Sequence, residues 1–324
     1  MKLKPFSSFL TLLVFSFVLA GCAKDFEGQM KEAQAFYKSG DAKSAIASYT
    51  KAIEKDPKKE AGYLGRAAAY LMAKDTNAAL ADYTKTIEMN PTDENGYLRR
   101  ATVYHMQRNA EKALEDNKKA LELNPENEIG YWGRAAVYLE MGQFDKAAED
   151  YSQLIQRHPE EASGYASRAM ALSYKGDYPS AMIDLNKVIE LDPKKDNGYL
   201  RRGTLHLAMK NMDAALADYS KAIEIDPSSA AGYIFRGQIS AYKKKDYDGA
   251  LADFKKAIEL EPKNAGFYAE RALISLEKGD KAAAEADFAK ALELEPALQS
   301  KIEEARTRQA QKEAVLVATS VKNA

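Results

Sequence analysis

Cysteine occurs once in 324 residues, at Cys22, so no disulfide can close within the chain. Histidine occurs three times, at His105, His158 and His206. No HExxH spacing, Ser-His-Asp order, glycine-rich phosphate loop or second cysteine accompanies them, so they do not assemble into a metal or acid–base site. Excess positive charge is missing too, with 47 Lys and Arg against 48 Asp and Glu. That excludes the strongly basic face of a nucleic-acid binder. Carboxylates are plentiful, but they alternate with lysines as a solvated surface does. The sequence therefore offers no catalytic residue and implies no cofactor.

Uncharged apolar residues run together only near the start, from Phe6 to Ala20, behind Lys2 and Lys4 and ahead of Gly21 and Cys22. As a helix this run would reach about 22 Å at 1.5 Å per residue, short of a bilayer core of about 30 Å. A basic start, an apolar run and small residues at its end read as a secretory signal. Leu19-Ala20-Gly21-Cys22 resembles the lipobox of bacterial lipoproteins. The resemblance implies a signal peptide over 1–21, cleavage before Cys22, acylation of that cysteine and a short tether over 22–25. Ala23 stands where an inner-membrane lipoprotein carries aspartate, which implies an outer-membrane anchor facing the periplasm. Several acyl chains on one residue would hold almost irreversibly, since a single chain binds a membrane only marginally.

Proline punctuates the rest at 57, 91, 125, 159, 193, 227, 262 and 296, a period of 34 with one interval of 35. The text before each proline returns as well: ALADYTKTIEMNP at 79–91, ALADYSKAIEIDP at 215–227, ALADFKKAIELEP at 250–262. Tyr199, Arg202, Gly203 and His206 share one face of a helix, and Ala215, Tyr219 and Ala222 share one face of the next. Each period is thus a pair of antiparallel helices, and proline stops the second. Alanine opens the second stripe at 45, 79, 113, 147, 181, 215, 250 and 284. An aromatic follows four residues later except at Asn117 and Leu185.

A 34-residue helix–turn–helix period ending in proline resembles the tetratricopeptide repeat. The resemblance implies an all-α, right-handed superhelical solenoid over 26–298, with repeats at 26–59, 60–93, 94–127, 128–161, 162–195, 196–229, 230–264 and 265–298. Leu298, Ile302 and Ala305 continue an apolar stripe into a polar segment, which predicts a capping helix over 299–313 and a C-terminal tail over 314–324.

Arginine stands at 66, 100, 134, 168, 202, 236 and 271, where that family commonly has leucine, and aspartate precedes the aromatic position at 82, 116, 150, 184, 218, 253 and 287. The first repeat lacks both, with Glu32 and Ser48. Joint presence and joint absence predict an Arg–Asp pair inside each repeat, which makes the guanidiniums structural.

In the resembled family the first-helix face lines a concave groove that binds peptide segments. Here that face carries Arg99, Trp132, Tyr174, Arg201, Phe235 and Tyr242, with Leu98, Leu139, Met170, Leu200 and Ile234 among them. Superhelical curvature would bury part of this strip, the leucines first. Aromatic and arginine side chains are the types that dominate interface energies. The lysine–asparagine clamp of chaperone-binding members is missing, since its places hold Leu64, Ala68, Arg99, Ile129 and Gly133. The expectation is a non-enzymatic, outer-membrane-anchored adaptor for protein or peptide partners in the periplasm, similar in architecture to envelope lipoproteins that assist secretin, barrel or hydrolase assembly. The competing readings are a cytosolic co-chaperone with a misread N-terminus and an enzyme whose site leaves no motif.

Overall fold

The computed structural model describes residues 25–322, with side chains through 311. Residues 1–24, and with them the expected cleavage and acylation at Cys22, lie outside the described residues. Every regular element among those described is helical. The order is α1 (25–38), α2 Ala42–Lys55, α3 Glu60–Met72, α4 Thr76–Met89, α5 Glu94–Met106, α6 Ala110–Leu123, α7 Glu128–Glu140 and α8 Phe144–Arg157. It continues with α9 Ala162–Lys175, α10 Tyr178–Leu191, α11 Asp196–Ala208, α12 Met212–Ile225, α13 Ala230–Ile239, α14 Tyr247–Leu260, α15 Ala265–Lys278, α16 Lys281–Leu294 and α17 Gln299–Lys322. Odd and even helices pair within each 34-residue period. No described helix is long and apolar enough to cross a membrane.

Local chemistry sets the helix ends. Asp41, Asp75, Asn109, Asp177, Asp246 and Asp280 each accept a backbone N–H three residues on, capping the second helix of a repeat. The first helix ends in a left-handed residue, Gly at 40, 142, 176 and 279 but Lys74, Arg108, Lys210 and Lys245 in the other repeats. In five repeats a tyrosine then staples the new first helix to the preceding proline: the hydroxyls of Tyr63, Tyr97, Tyr165, Tyr233 and Tyr268 donate to the carbonyls of Pro57, Pro91, Pro159, Pro227 and Pro262 at 3.1–3.4 Å.

The described chain falls into two compact parts, up to Arg157 and from His158. In the first, Tyr49 and Ala45 pack with Phe26, Met30 and Ala33 of α1 and with Ala69 of α3, so the core of one repeat closes on the next. Ala67, Ala79, Tyr83 and Val103 repeat the arrangement. In the second part, Phe254 and Ala250 pack against Ala241 and Ile274. The alanines allow close approach, and so does Gly203, where a Cβ would sit 2.7 Å from the Tyr219 ring. Asn117, in an aromatic's place, is satisfied by donating to the Ala113 carbonyl at 2.9 Å.

All seven predicted Arg–Asp pairs form inside their repeats. Each Nη2 lies 2.6–2.8 Å from Oδ1 of its aspartate. Each Nε lies 2.7–2.9 Å from Oδ2 of the same carboxylate. The aspartates are buried and the geometry is bidentate. Hydrogen bonding to the carboxylates raises the arginines above their usual range. Burial pushes Asp150 up, and Arg134 opposes it. Each guanidinium also lies 5.5–5.9 Å from the ring of the tyrosine three residues before it. Arg66, Arg100, Arg202 and Arg236 reach further, donating through Nη1 to Thr50, Thr84, Asn186 and Ser220 of the preceding repeat. The ladder therefore crosses repeat boundaries as well as bracing each pair.

The 35-residue interval is absorbed in repeat seven. α13 loosens into a π turn, Ser240–Lys244, and Lys245 takes φ 57°. Arg236 still meets Asp253, now 17 residues away where the other pairs are 16 apart. At the C-terminus, Leu298, Ile302 and Ala305 pack on Ala272, Phe288 and Leu292, covering the last repeat. α17 continues to Lys322, past the boundary expected at 313.

Candidate partner-binding groove

The groove residues expected from the sequence are divided between the two compact parts. In the part up to Arg157, Trp132 is half-buried and its ring lies 5.4 Å from that of Tyr151. Arg99 is exposed beside Tyr83, whose phenol is pushed up by burial and pulled back by that guanidinium. Leu98 is only 5% exposed, so this aliphatic belongs to the core and not to a contact surface. Its helix α5 packs on α7, the next first helix, as well as on α4 and α6.

The part from His158 brings three of the expected residues together. Tyr174 of α9, Arg201 of α11 and Phe235 of α13 line one concavity of about 520 Å³. Met170 and Leu200 form its apolar walls, and Leu185 of α10 and Leu205 of α11 lie at its base. Tyr174 is 64% exposed, a large aromatic surface open to solvent at the mouth of the concavity. Arg201 and Arg202 are neighbours in sequence with opposite roles. Arg202 is consumed by Asp218, whereas Arg201 is exposed and its Nε donates to Asn197 Oδ1 at 3.1 Å. No ion pair to Arg201 is present among the described residues.

Tyr242 stands apart from this concavity. The π turn carries it outward, 46% exposed, and its hydroxyl lies 3.1 Å from Glu270 Oε2. Burial and the carboxylates of Glu270 and Glu277 push its phenol far above the ordinary range. Sequence reasoning missed Asn197, Thr204 and Glu270. Glu270 was legible in register: the residue just before each ladder arginine is Arg99, Arg201, Phe235 and Glu270 in repeats three, six, seven and eight.

The histidines are dispersed, as their spacing implied: His105 beside Glu140 at 3.4 Å, His158 beside Glu161 at 3.7 Å and His206 beside Asp218 at 3.8 Å.

Tetratricopeptide-repeat profiles match residues 30–94, 95–127, 133–196, 197–229 and 265–298, and a TPR-repeat profile matches 240–279. The chain is a tetratricopeptide-repeat protein. No curated protein sequence matches it. Among solved structures, a tetratricopeptide repeat protein from Parabacteroides merdae ATCC 43184 is 22% identical, with a TM-score of 0.60 over 81% of this chain and 99% of that one. Pseudomonas aeruginosa pilF is 16% identical, with a TM-score of 0.52 over 67% of this chain and 99% of that one. The Cut9–Hcn1 hetero-tetramer of the APC/C contains a chain 17% identical, with a TM-score of 0.53 over 87% of this chain and 55% of that one. At such identities the likeness shows the fold. Tetratricopeptide-repeat proteins bind protein or peptide partners, and an exposed, apolar, arginine-rimmed concavity on a first-helix face is chemically suited to that use.

Proposed function

We propose that this tetratricopeptide-repeat protein is a non-enzymatic adaptor, anchored by lipid at Cys22 to the periplasmic face of the outer membrane, that gathers protein partners through its first-helix groove. The observation that carries the binding half is the Tyr174–Arg201–Phe235 concavity, an apolar surface with an arginine that the fold itself does not use. The sequence LAGC behind two lysines and an uncharged run supports the anchor. α1 begins at 25, so the link from an acylated Cys22 would span at most about 14 Å and hold the first repeat near the leaflet.

Two measurements test the two halves separately. Cys22→Ser should leave the outer-membrane fraction, and its retention there at the wild-type level would show the anchor assignment to be wrong. A photo-crosslinking amino acid at Tyr174 should trap envelope proteins, whereas the same group at Ile183 on α10, itself 70% exposed, should not. Adducts at Ile183 alone would move the binding surface off the groove.

A further inference from the structure

The residue preceding each ladder arginine occupies one register position along the groove, and in the part from His158 it reads Arg201, Phe235, Glu270 in consecutive repeats. Arg201 is, among the described residues, a cation without an ionic partner at the rim of the concavity, and Phe235 is part of its wall. Glu270 is an anion whose contact is the Tyr242 hydroxyl, a neutral donor that leaves the carboxylate charge uncompensated. Positive, apolar and negative thus follow one another along one face. Consecutive first helices stand at least one packed-helix distance, about 8–10 Å, apart, and an extended chain advances about 3.3 Å per residue, so a bound strand would pass about three residues or more per repeat.

Resting on the protein-binding reading above, we propose the chemistry of the occupant: an extended peptide segment that places one bulky apolar side chain in the concavity and an aspartate or glutamate against Arg201. About six residues or more from that acid, on the far side of the apolar residue, it places a lysine or arginine against Glu270. The apolar side chain displaces water from Met170, Leu200 and Phe235. Its arrival dries the rim, and the Arg201–carboxylate attraction strengthens as the local dielectric falls. The ordered charges set the direction of the strand, because a reversed segment would set acid against Glu270 and base against Arg201.

The test pans a display library of random ten-residue peptides on the full chain in detergent and, in parallel, on its Arg201→Glu variant. Arg201 is exposed and outside the core, so the variant should keep the wild-type helical signal. Wild type should enrich an acid within three residues of Phe, Leu, Met or Trp, and the variant should exchange that acid for Lys or Arg. In fluorescence anisotropy, changing the acid of the best wild-type peptide to its amide should weaken binding about tenfold, the scale of an interface anchor. An acid-free consensus, the same consensus on both proteins, or no enrichment on wild type would overturn the proposal. Crosslinking at Tyr174 could still succeed in each of those cases, so the adaptor reading would stand or fall on its own result.

Discussion

Arg202 and Asp218 allow the ladder to be separated into its pairing and its burial. The carboxylate is buried and is met by two guanidinium hydrogen bonds. Arg202→Met strands a buried charge and should cost about 3 kcal/mol or more, whereas an ion pair replaced whole by apolar groups is often close to neutral. Urea unfolding of Arg202→Met, Asp218→Leu and the double variant should therefore show the double variant more stable than either single one. Additive losses would mean that the pair is not the unit. Trp132 offers a second contrast at the same scale. Its tilted ring contact with Tyr151 makes it a packing residue as well as a candidate groove residue, so Trp132→Ala should lower stability by about 1 to 2 kcal/mol. Arg201→Ala, which removes an exposed side chain, should leave the thermal midpoint unchanged.

At the ends of the first helices, four repeats use glycine in the left-handed turn and four force a lysine or arginine into it. An L-residue with a Cβ pays about 1–2 kcal/mol for that conformation, offset in part by the greater freedom glycine loses on folding. Lys210, at φ 61°, is exposed, so little else depends on it. Lys210→Gly should raise stability by about 0.5–1 kcal/mol, read as a higher urea midpoint at an unchanged slope; a lower midpoint would show that the lysine has an unrecognised role. The π turn of repeat seven is the other departure from regularity. It keeps the Arg236–Asp253 pair intact across an inserted residue and places Tyr242 where it meets Glu270.

Stability across such a chain is close to a sum of repeat and neighbour terms, because each repeat closes its core on the next. The terminal repeats are therefore the most exposed to loss. Ile302, only 2% accessible, seals repeat eight together with Leu298 and Ala305. Ile302→Ala should cost about 2–4 kcal/mol, and the loss should be local. Hydrogen exchange should quicken in α15 and α16 while α2 to α7 keep their protection. A uniform loss over the whole chain would show that the repeats unfold as one body.

Helix type and the Arg–Asp pairing were readable from residue identities because a 34-residue period states each rule seven or eight times, and covariation with the one repeat lacking both partners chose between pairings. The final apolar stripe was readable for a similar reason: it depends on residues close together in the chain. The groove was not. Arg99, Trp132, Tyr174, Arg201, Phe235 and Tyr242 occupy equivalent faces, and that equivalence does not announce the concavity that Tyr174, Arg201 and Phe235 share. Leu98 sinks into the core, and one inserted residue carries Tyr242 to Glu270. Which side of a helix is apolar follows from local periodicity. How much of that side remains open depends on the packing of neighbouring helices, a non-local quantity that no single repeat encodes.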